Sequence, residues 1–397
     1  MYLTITVNNM KLKKKLLIIA SAIVAVLVIT FVGVTRALAI NELNGKAKTG
    51  ELYKVKLDGA ISSDSTEWHG FFRKGKENKV LVCFFGGGCS VNEFTAARSN
   101  AMPGGFYFYQ LFDAKNKVLG EMAYKHFCTS GVLSPDGMNP FHDWTIIVVP
   151  YATADFHCGT NDFPYTVLDG SKKTLYHHGY TNVDKLMKAV MPQITETPEA
   201  LVITGYSAGG FGAALLSDHV IGFFPKTKNV TVCVDSGLLL NSKWPQVVND
   251  VWKAPKNIAQ NIKTDNLTLD CLKALDKKRE GKAKILFCCS PRDTLLALSQ
   301  TLFDRGDHLL FNATKKDGDR FQSILKASVK EMQEALPKSG VFIFADLEHE
   351  GGTLTKHTII NTKEVFNKRD QGMSVAQWMM DAVNGKVKSY GLQLLDK

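Results

Sequence analysis

The sequence predicts an α/β fold in which a doubly wound, mostly parallel sheet forms the centre of one domain. Apolar runs of strand length recur along the chain, and segments with the 3.6-residue spacing of helices separate them. Continuous apolar runs are typical of parallel strands, because helices cover both faces of such a sheet. The chain has 397 residues, 45% hydrophobic and 22% charged, which suits one large domain at residues 41–397.

Six segments have the strand pattern, and turn residues follow most of them directly. They are residues 79–85, 144–149, 201–206, 230–234, 284–289 and 341–344. Helical spacing predicts helices at 182–191, from 208 to about 224, through most of 240–283, over 294–336 and at 374–384. The other stretches are predicted to be an entry segment at 40–67 and irregular loops at 89–143 and 151–180. Right-handed crossovers would bring the carboxyl ends of the parallel strands to one edge of the sheet.

Residues 1–40 have the features of a targeting segment. A basic cluster, Lys11 to Lys15, precedes 20 uncharged residues at 16–35, a stretch long enough to span a bilayer. Ala37-Leu38-Ala39 resembles the cleavage site of a signal peptide. We expect either a membrane anchor, which the length favours, or a cleaved signal peptide. Both alternatives put the following domain outside the cytoplasm, secreted or at the cell surface.

The charge of the chain is mildly basic, with 48 Lys and Arg against 38 Asp and Glu. The leader holds five of the cations and no acid, and without it the balance is 43 against 38. No basic stripe is interleaved with aromatic residues, so nucleic acid is not an expected partner. The sequence has no Cys-x-x-Cys or His-Glu-x-x-His spacing, so we expect no metal and no other cofactor.

A candidate nucleophile stands at the end of the third predicted strand. The β-branched run at 201–204 leads into Gly205-Tyr206-Ser207-Ala208-Gly209, and small residues continue into a helical pattern. This is the strand–turn–helix context of a nucleophile elbow, in which a serine stands on a turn too tight for large neighbours. The helix N-terminus behind Ser207 would favour developing negative charge. We therefore predict that Ser207 is a catalytic nucleophile.

An acid and a histidine are expected at the same edge of the sheet, since serine needs an imidazole base and the imidazole needs a carboxylate. Asp293 follows the strand at 284–289, and His349 and His357 both follow the strand at 341–344. The chain order nucleophile, acid, histidine is that of α/β-hydrolases. Asp293 also suits the N-cap of the helix beginning at Thr294, and the two roles are compatible.

A second part of the predicted site is a triple-glycine turn. Gly86-Gly87-Gly88 ends the first predicted strand. A tetrahedral intermediate needs backbone N–H donors aimed at its oxyanion, and a glycine-rich turn after an early central strand supplies them in lipase-like enzymes. The N–H of Ala208, which follows the nucleophile, would complete the set.

Together these segments resemble the pectinacetylesterase family. The likeness runs from about Trp68 to Gly385. Its motifs are Phe85-Gly86-Gly87-Gly88, Asn139-Pro140-Phe141, Pro150-Tyr151, Asp155, Gly159, His178-Gly179-Tyr180 with Asn182, Gly205 to Gly210, Asp235-Ser236-Gly237, Ser290-Pro291-Arg292-Asp293, His357-Thr358-Ile359 and Trp378. The resemblance implies a serine esterase with the triad Ser207, Asp293 and a histidine, and an oxyanion hole at Gly87, Gly88 and Ala208.

For the histidine, the resemblance to bacterial sequences of the family implies His357, whereas the spacing of other members favours His349. We predict His357, about 3 Å from the Ser207 Oγ, a usual hydrogen-bond distance. The glycines at 351 and 352 would let the chain fold back over the sheet edge, and His349 would remain at the rim.

The sequence departs from the family pattern at two places. Cys89 follows Gly88 directly, and Ala152 stands where the family has a cysteine. These departures put the usual disulfide scheme in doubt. Eight cysteines permit disulfides outside the cytoplasm, and those in predicted loops are the better candidates for pairing. They are Cys89, Cys128 and Cys158.

Three functions remain open at this point. The first is an extracellular, monomeric serine esterase that removes acetyl groups from an acylated carbohydrate such as pectin, a substrate class that the resemblance implies. The second is an esterase for longer, lipid-like acyl groups. The third is a surface-anchored binding protein that keeps a hydrolase scaffold without activity, which the altered segments around Cys89 and Ala152 motivate.

The long loop predicted at 151–180 contains three further histidines, His157, His177 and His178. They either line a substrate cleft or have a structural role.

Overall fold

The computed structural model describes residues 39–97, 117–167, 169–305 and 312–397. The apolar leader predicted at 16–35 lies outside these residues. Within the described ranges, no helix combines the length and the apolar character that crossing a membrane requires.

Among the described residues, nine strands form one sheet and two more form a separate hairpin. The sheet strands are β1 (Asn41–Glu42), β2 (Leu52–Ile61), β3 (Glu67–Arg73), β4 (Lys79–Phe84), β5 (Thr145–Val149), β8 (Ala200–Tyr206), β9 (Val230–Asp235), β10 (Lys284–Cys289) and β11 (Gly340–Ile343). Across the sheet they lie in the order β1-β2-β3-β5-β4-β8-β9-β10-β11. The hairpin consists of β6 (Asn161–Thr166) and β7 (Lys172–His177). The six strands from β5 to β11 across the sheet are mutually parallel, as the sequence predicts.

Most of the described helices lie in the connections between strands, and the last one follows β11. They are α1 (Glu93–Ala96), α2 (Lys117–Phe127), α3 (Gly179–Val190), α4 (Ala208–Gly222), α5 (Trp244–Gln246), α6 (Lys256–Ala259), α7 (Leu267–Lys278), α8 (Thr294–Arg305), α9 (Lys315–Ala335) and α10 (Val375–Val383). Short 3₁₀ turns lie at Gly131–Leu133, Met191–Gln193, Lys363–Phe366, Asp370–Gly372 and Leu392–Asp396, and a π turn at Val247–Val251. The helix predicted over 294–336 is two helices, α8 and α9.

The core lies around the central strands. Every residue of β5, β8 and β9 is buried, which explains why their sequences are continuous apolar runs rather than alternating ones. Helix α4 packs against β4, β8, β9 and α7, so it too is apolar on nearly every side. This packing fixes the turn between β8 and α4 from all directions.

The antiparallel edge of the sheet differs from the prediction. Residues 40–67 are not an entry segment: β2 pairs antiparallel with β3, and β3 pairs antiparallel with β5. Strand β2 has several exposed residues and a register shift between Lys56 and Ile61, so its apolar alternation is broken. The hairpin β6–β7, inside the loop predicted at 151–180, was missed because most of its residues are at least partly exposed.

The cysteine prediction was wrong for the loop residues. All eight cysteines, including Cys89, Cys128 and Cys158, are buried free thiols. Burial raises the pKa of the Cys89 thiol to about 12, so the thiol stays protonated and unreactive near neutral pH.

Candidate active site

Ser207 lies on the tight turn between β8 and α4, with φ 56° and ψ −126°. A positive φ is strained for a residue with a side chain, and such strain is typical of functional turns. The neighbouring glycines are required sterically. A Cβ at Gly205 would lie 2.1 Å from the Gly209 carbonyl oxygen, and one at Gly209 would lie 2.0 Å from the Phe84 carbonyl oxygen. The Ser207 N–H donates to the Asp235 carbonyl oxygen at 2.9 Å, which ties the turn to the end of β9.

Backbone donors surround the space in front of Ser207. Gly87, Gly88 and Ala208 line the same cavity as the serine. Among the hydrogen bonds of the described residues, none uses the N–H of these three residues. Ala208 is the first residue of α4, where N–H groups have no intrahelical acceptor. The three N–H groups are therefore available to a ligand in the cavity, as the predicted oxyanion hole requires.

Asp293 and His357 form a buried pair. The His357 Nδ1 lies 2.8 Å from both carboxylate oxygens of Asp293, whose side chain is fully buried. The same carboxylate accepts the N–H groups of Leu295 and Leu296, at 3.1 and 2.9 Å. Asp293 thus caps α8, as the sequence suggests, while the same carboxylate contacts the imidazole. The capping bonds hold the carboxylate in place beside the imidazole.

The loop that carries His357 is fastened on both sides of the histidine. Before it, Thr355 exchanges backbone hydrogen bonds with Arg292 and Thr294. After it, the N–H groups of Ile359 and Ile360 donate to one carboxylate oxygen of Asp235, at 2.7 and 2.9 Å. The position of the imidazole therefore depends on the end of β9 and on the segment after β10, as well as on its own loop.

One predicted contact is not made. The Nε2 atom of His357 is buried and has no hydrogen-bond partner among the described residues, so the expected bond to the Ser207 Oγ is absent. Both side chains line the same cavity. Contacts between a base and its nucleophile are often long without substrate and shorten when substrate binds.

The other histidines considered for the site lie elsewhere. His349 is exposed, on a turn that the Gly352 N–H closes onto the His349 carbonyl oxygen. In the long loop, the ring nitrogens of His157 and His177 lie within hydrogen-bonding distance of the carbonyl oxygens of Phe85 and Thr153, and His178 contacts Asp162. Burial lowers the pKa of His157 and of His177 to about 4, so both rings are neutral structural groups.

Electrostatics raise the pKa of His357 above its ordinary value. Burial alone would lower the pKa, but the charge and hydrogen bond of Asp293 outweigh this effect, with help from the charges of Asp235 and Glu348. An imidazolium at this position is thus stabilised, which is what a base needs after it has accepted a proton.

The cavity in front of Ser207 has a volume of about 240 Å³ and mostly apolar walls. Its side walls come from Cys89, Phe156, Phe211, Leu239, Leu295, Leu296, Ser299, Phe303 and Asn361. Sequence reasoning missed the contribution of α8, because its lining residues look like an ordinary amphipathic helix. It also treated Asp235 only as part of a motif, although an acid directly after a buried strand is a signal of a position at this edge.

Comparisons with known proteins show which family and which fold the chain resembles. A family model described as pectinacetylesterase matches residues 56–303. The protein Pectin acetylesterase 4 of Arabidopsis thaliana is 24% identical over 265 residues, which are 66% of this chain and 58% of that relative. The match therefore spans less than two thirds of the relative's length.

Among solved structures, the fold is similar to that of the Wnt deacylase Notum from Drosophila. Two crystal forms align with TM-scores of 0.56 and 0.52 at 14% identity, and each alignment covers 84% of this chain and 93% of the Notum chain. At this identity the likeness concerns the fold, a mixed α/β architecture with a large, mostly parallel sheet.

Proposed function

Because the chain belongs to the pectinacetylesterase family, we propose that it is a serine carboxylic-ester hydrolase whose triad is Ser207, His357 and Asp293. The observation that carries the proposal is the arrangement of the buried His357–Asp293 pair and the strained Ser207 turn around one cavity. In the proposed reaction the Ser207 Oγ attacks the acyl carbonyl carbon while the His357 Nε2 accepts its proton. The imidazolium returns this proton to the leaving alcohol, and water then releases the acid from the acyl-enzyme.

The N–H groups of Gly87, Gly88 and Ala208 are proposed to bind the oxyanion. Their lack of partners among the described residues supports this role, since a donor already engaged elsewhere would have to exchange bonds during the reaction. The helix dipole of α4 adds to the same field.

For the natural substrate we propose an O-acetylated polysaccharide such as pectin, on the basis of the family and of the plant relative's name. We further propose that the enzyme acts outside the cytoplasm, because a basic cluster and an uncharged stretch precede the domain. Protease treatment of intact cells tests the location: degradation of the domain is expected, and full protection would contradict it.

A second candidate is a deacylase for longer acyl groups, which the cavity favours. An acetyl group fills only a small part of a space of about 240 Å³ with leucine and phenylalanine walls. Each methylene that such walls bury is worth about 0.8 kcal/mol, or roughly a fourfold gain in kcat/KM.

Aryl esters of increasing acyl length test both candidates. The esterase proposal expects hydrolysis of the acetyl ester and less than about a thousandth of the rate in Ser207→Ala. A steep fall of kcat/KM beyond acetyl selects the acetylesterase, and a rise up to longer chains selects the second candidate.

Leu295→Trp is the matched variant for acyl length. The side chain of Leu295 lines the cavity, whereas its contact with Asp293 is through the backbone N–H. The variant should slow longer esters far more than acetate. A binding protein without activity would neither hydrolyse any ester nor react covalently at Ser207 with a fluorophosphonate, and that pair of results would refute the esterase proposal.

A further inference from the structure

Asp235 links the two halves of the site. Its backbone carbonyl accepts the Ser207 N–H at 2.9 Å. One carboxylate oxygen accepts the N–H groups of Ile359 and Ile360, which follow the histidine. The other oxygen accepts the Ser236 hydroxyl at 3.0 Å. One wholly buried residue at the end of β9 thus holds both the nucleophile turn and the histidine loop.

We propose that Asp235 is a positioning residue of the esterase, a second buried carboxylate that sets the histidine loop against the serine turn and whose charge acts on His357. The proposal rests on the proposed function. It assigns Asp235 no contact with substrate and no proton transfer; the residue acts through the geometry and the basicity of His357.

The charges around the two groups support this role. The groups whose charges raise the pKa of His357 are Asp293, Asp235 and Glu348. Around Asp235 the titratable neighbours are His357 and the thiols of Cys83, Cys288 and Cys289. Burial raises the pKa of each of these thiols, which therefore stay neutral.

Asp235 and His357 act on each other electrostatically. Burial raises the pKa of Asp235 to about 6, although the hydrogen bonds from Ile359, Ile360 and Ser236 and the charge of His357 act against the rise. The charge and hydrogen bond of Asp293, and then the charge of Asp235, raise the pKa of His357 against the effect of burial. An ionised Asp235 therefore stabilises the imidazolium.

Two substitutions separate positioning from charge. Asp235→Ala removes the acceptors for the histidine loop, and a displacement of about 1 Å costs on the order of 10²-fold in kcat with little change in KM. Asp235→Asn keeps one acceptor oxygen for Ile359 and Ile360, so much of the lost kcat should return. The amide has no charge, so the acid limb of the kcat/KM profile should move to lower pH by roughly half a unit.

Asp155→Asn is the matched control. Asp155 is also a fully buried carboxylate that accepts loop N–H groups, from His157, Gly159 and Gly179, and burial raises its pKa to about 6. It is not among the groups that act on His357. Its variant should leave the acid limb where the wild type has it.

NMR titration of the His357 ring in the full protein, with ¹³C-labelled histidine, makes the test independent of turnover. The proposal expects a lower His357 pKa in Asp235→Asn and no change in Asp155→Asn. An unchanged pKa together with wild-type kcat in Asp235→Ala would overturn it. If the wild type hydrolyses no ester while the NMR shift occurs, the esterase function fails and the electrostatic link stands. If the enzyme is active and the His357 pKa is unchanged in Asp235→Asn, the esterase function stands and the electrostatic link fails.

Discussion

At the scale of single residues, the site depends on groups that are fixed by several bonds each. Among the described residues, the Asp293 carboxylate has three hydrogen-bond partners, Leu295, Leu296 and His357. Asp235 has a partner for its backbone carbonyl and for each side-chain oxygen. Ser207 and His357, whose side chains line the cavity, have no mutual hydrogen bond in the structure. In the proposed mechanism, these two acids position the Ser207 Oγ and the His357 Nε2 for proton transfer.

The choice between the two candidate histidines gives the prediction at this scale. Replacing His357 with Ala removes the partner of Asp293 and should lower kcat by roughly 10³-fold or more. His349→Ala is the matched control, because His349 is exposed and is not among the described hydrogen-bond partners of the Asp293 carboxylate, and kcat should remain within about twofold. Steady-state hydrolysis of an aryl acetate measures both, and a large loss in His349→Ala would exclude the assignment of His357.

At the scale of elements, the turn between β8 and α4 is possible only because strand, loop and helix meet without side chains between them. The backbone of Gly209 lies against the C-terminal end of β4, where an added Cβ would overlap the Phe84 carbonyl. Gly222, at the other end of α4, has no atom within 4 Å of its Cβ position. The same helix thus carries glycines that packing requires, Gly209 among them, and one glycine, Gly222, that it does not.

Alanine at each of these glycines should have opposite effects. Gly209→Ala forces backbone against backbone and should lower the free energy of unfolding by about 1–3 kcal/mol or more, with loss of activity. Gly222→Ala should be neutral or stabilise by up to about 1 kcal/mol, because alanine is the better helix former. Urea denaturation measures both changes. Equal effects of the two substitutions would contradict the packing of the turn.

At the scale of the whole molecule, buried titratable groups make stability depend on pH in two opposing ways. Burial lowers the pKa of His69 to about 3 and of His157 and His177 to about 4. Burial raises the pKa of Asp155 and of Asp235 to about 6. Between pH 6.5 and pH 4, the three histidines bind protons in the unfolded chain but not in the folded one, so acidification destabilises the fold through them. The two aspartates bind protons in the folded chain at a higher pH than in the unfolded one, so acidification stabilises the fold through them.

The effect of the histidines on stability should exceed that of the aspartates. There are three such histidines against two aspartates, and the histidine pKa values are shifted further from their ordinary value. We therefore expect the free energy of unfolding to decrease as the pH falls from 6.5 to 4. Asp155→Asn removes one group that stabilises the fold on acidification, so its decrease should be steeper. Urea titrations at several pH values measure the slope, and stability that rises towards pH 4 would show that the carboxyl groups dominate.

The sequence by itself determined the parallel centre of the sheet and the elbow at Ser207. Strands buried on both faces leave continuous apolar runs, and a turn that excludes side chains leaves its glycines at fixed spacing, so both signals are local. The position of Asp293 near the elbow could also be predicted, because Asp293 follows a parallel strand and parallel strands end at one edge of the sheet.

Only the tertiary structure decided the rest. Strands β1 to β3 lie at an edge whose residues are partly exposed, so their pattern is weak, and α8 lines the cavity with residues that look like any helix face. Asp293 pairs with His357, not His349, through a hydrogen bond between residues that are 64 positions apart in the sequence. Asp235 holds the histidine loop through hydrogen bonds to residues more than 120 positions away. Contacts at such separations are set by how the elements pack, which no local pattern records.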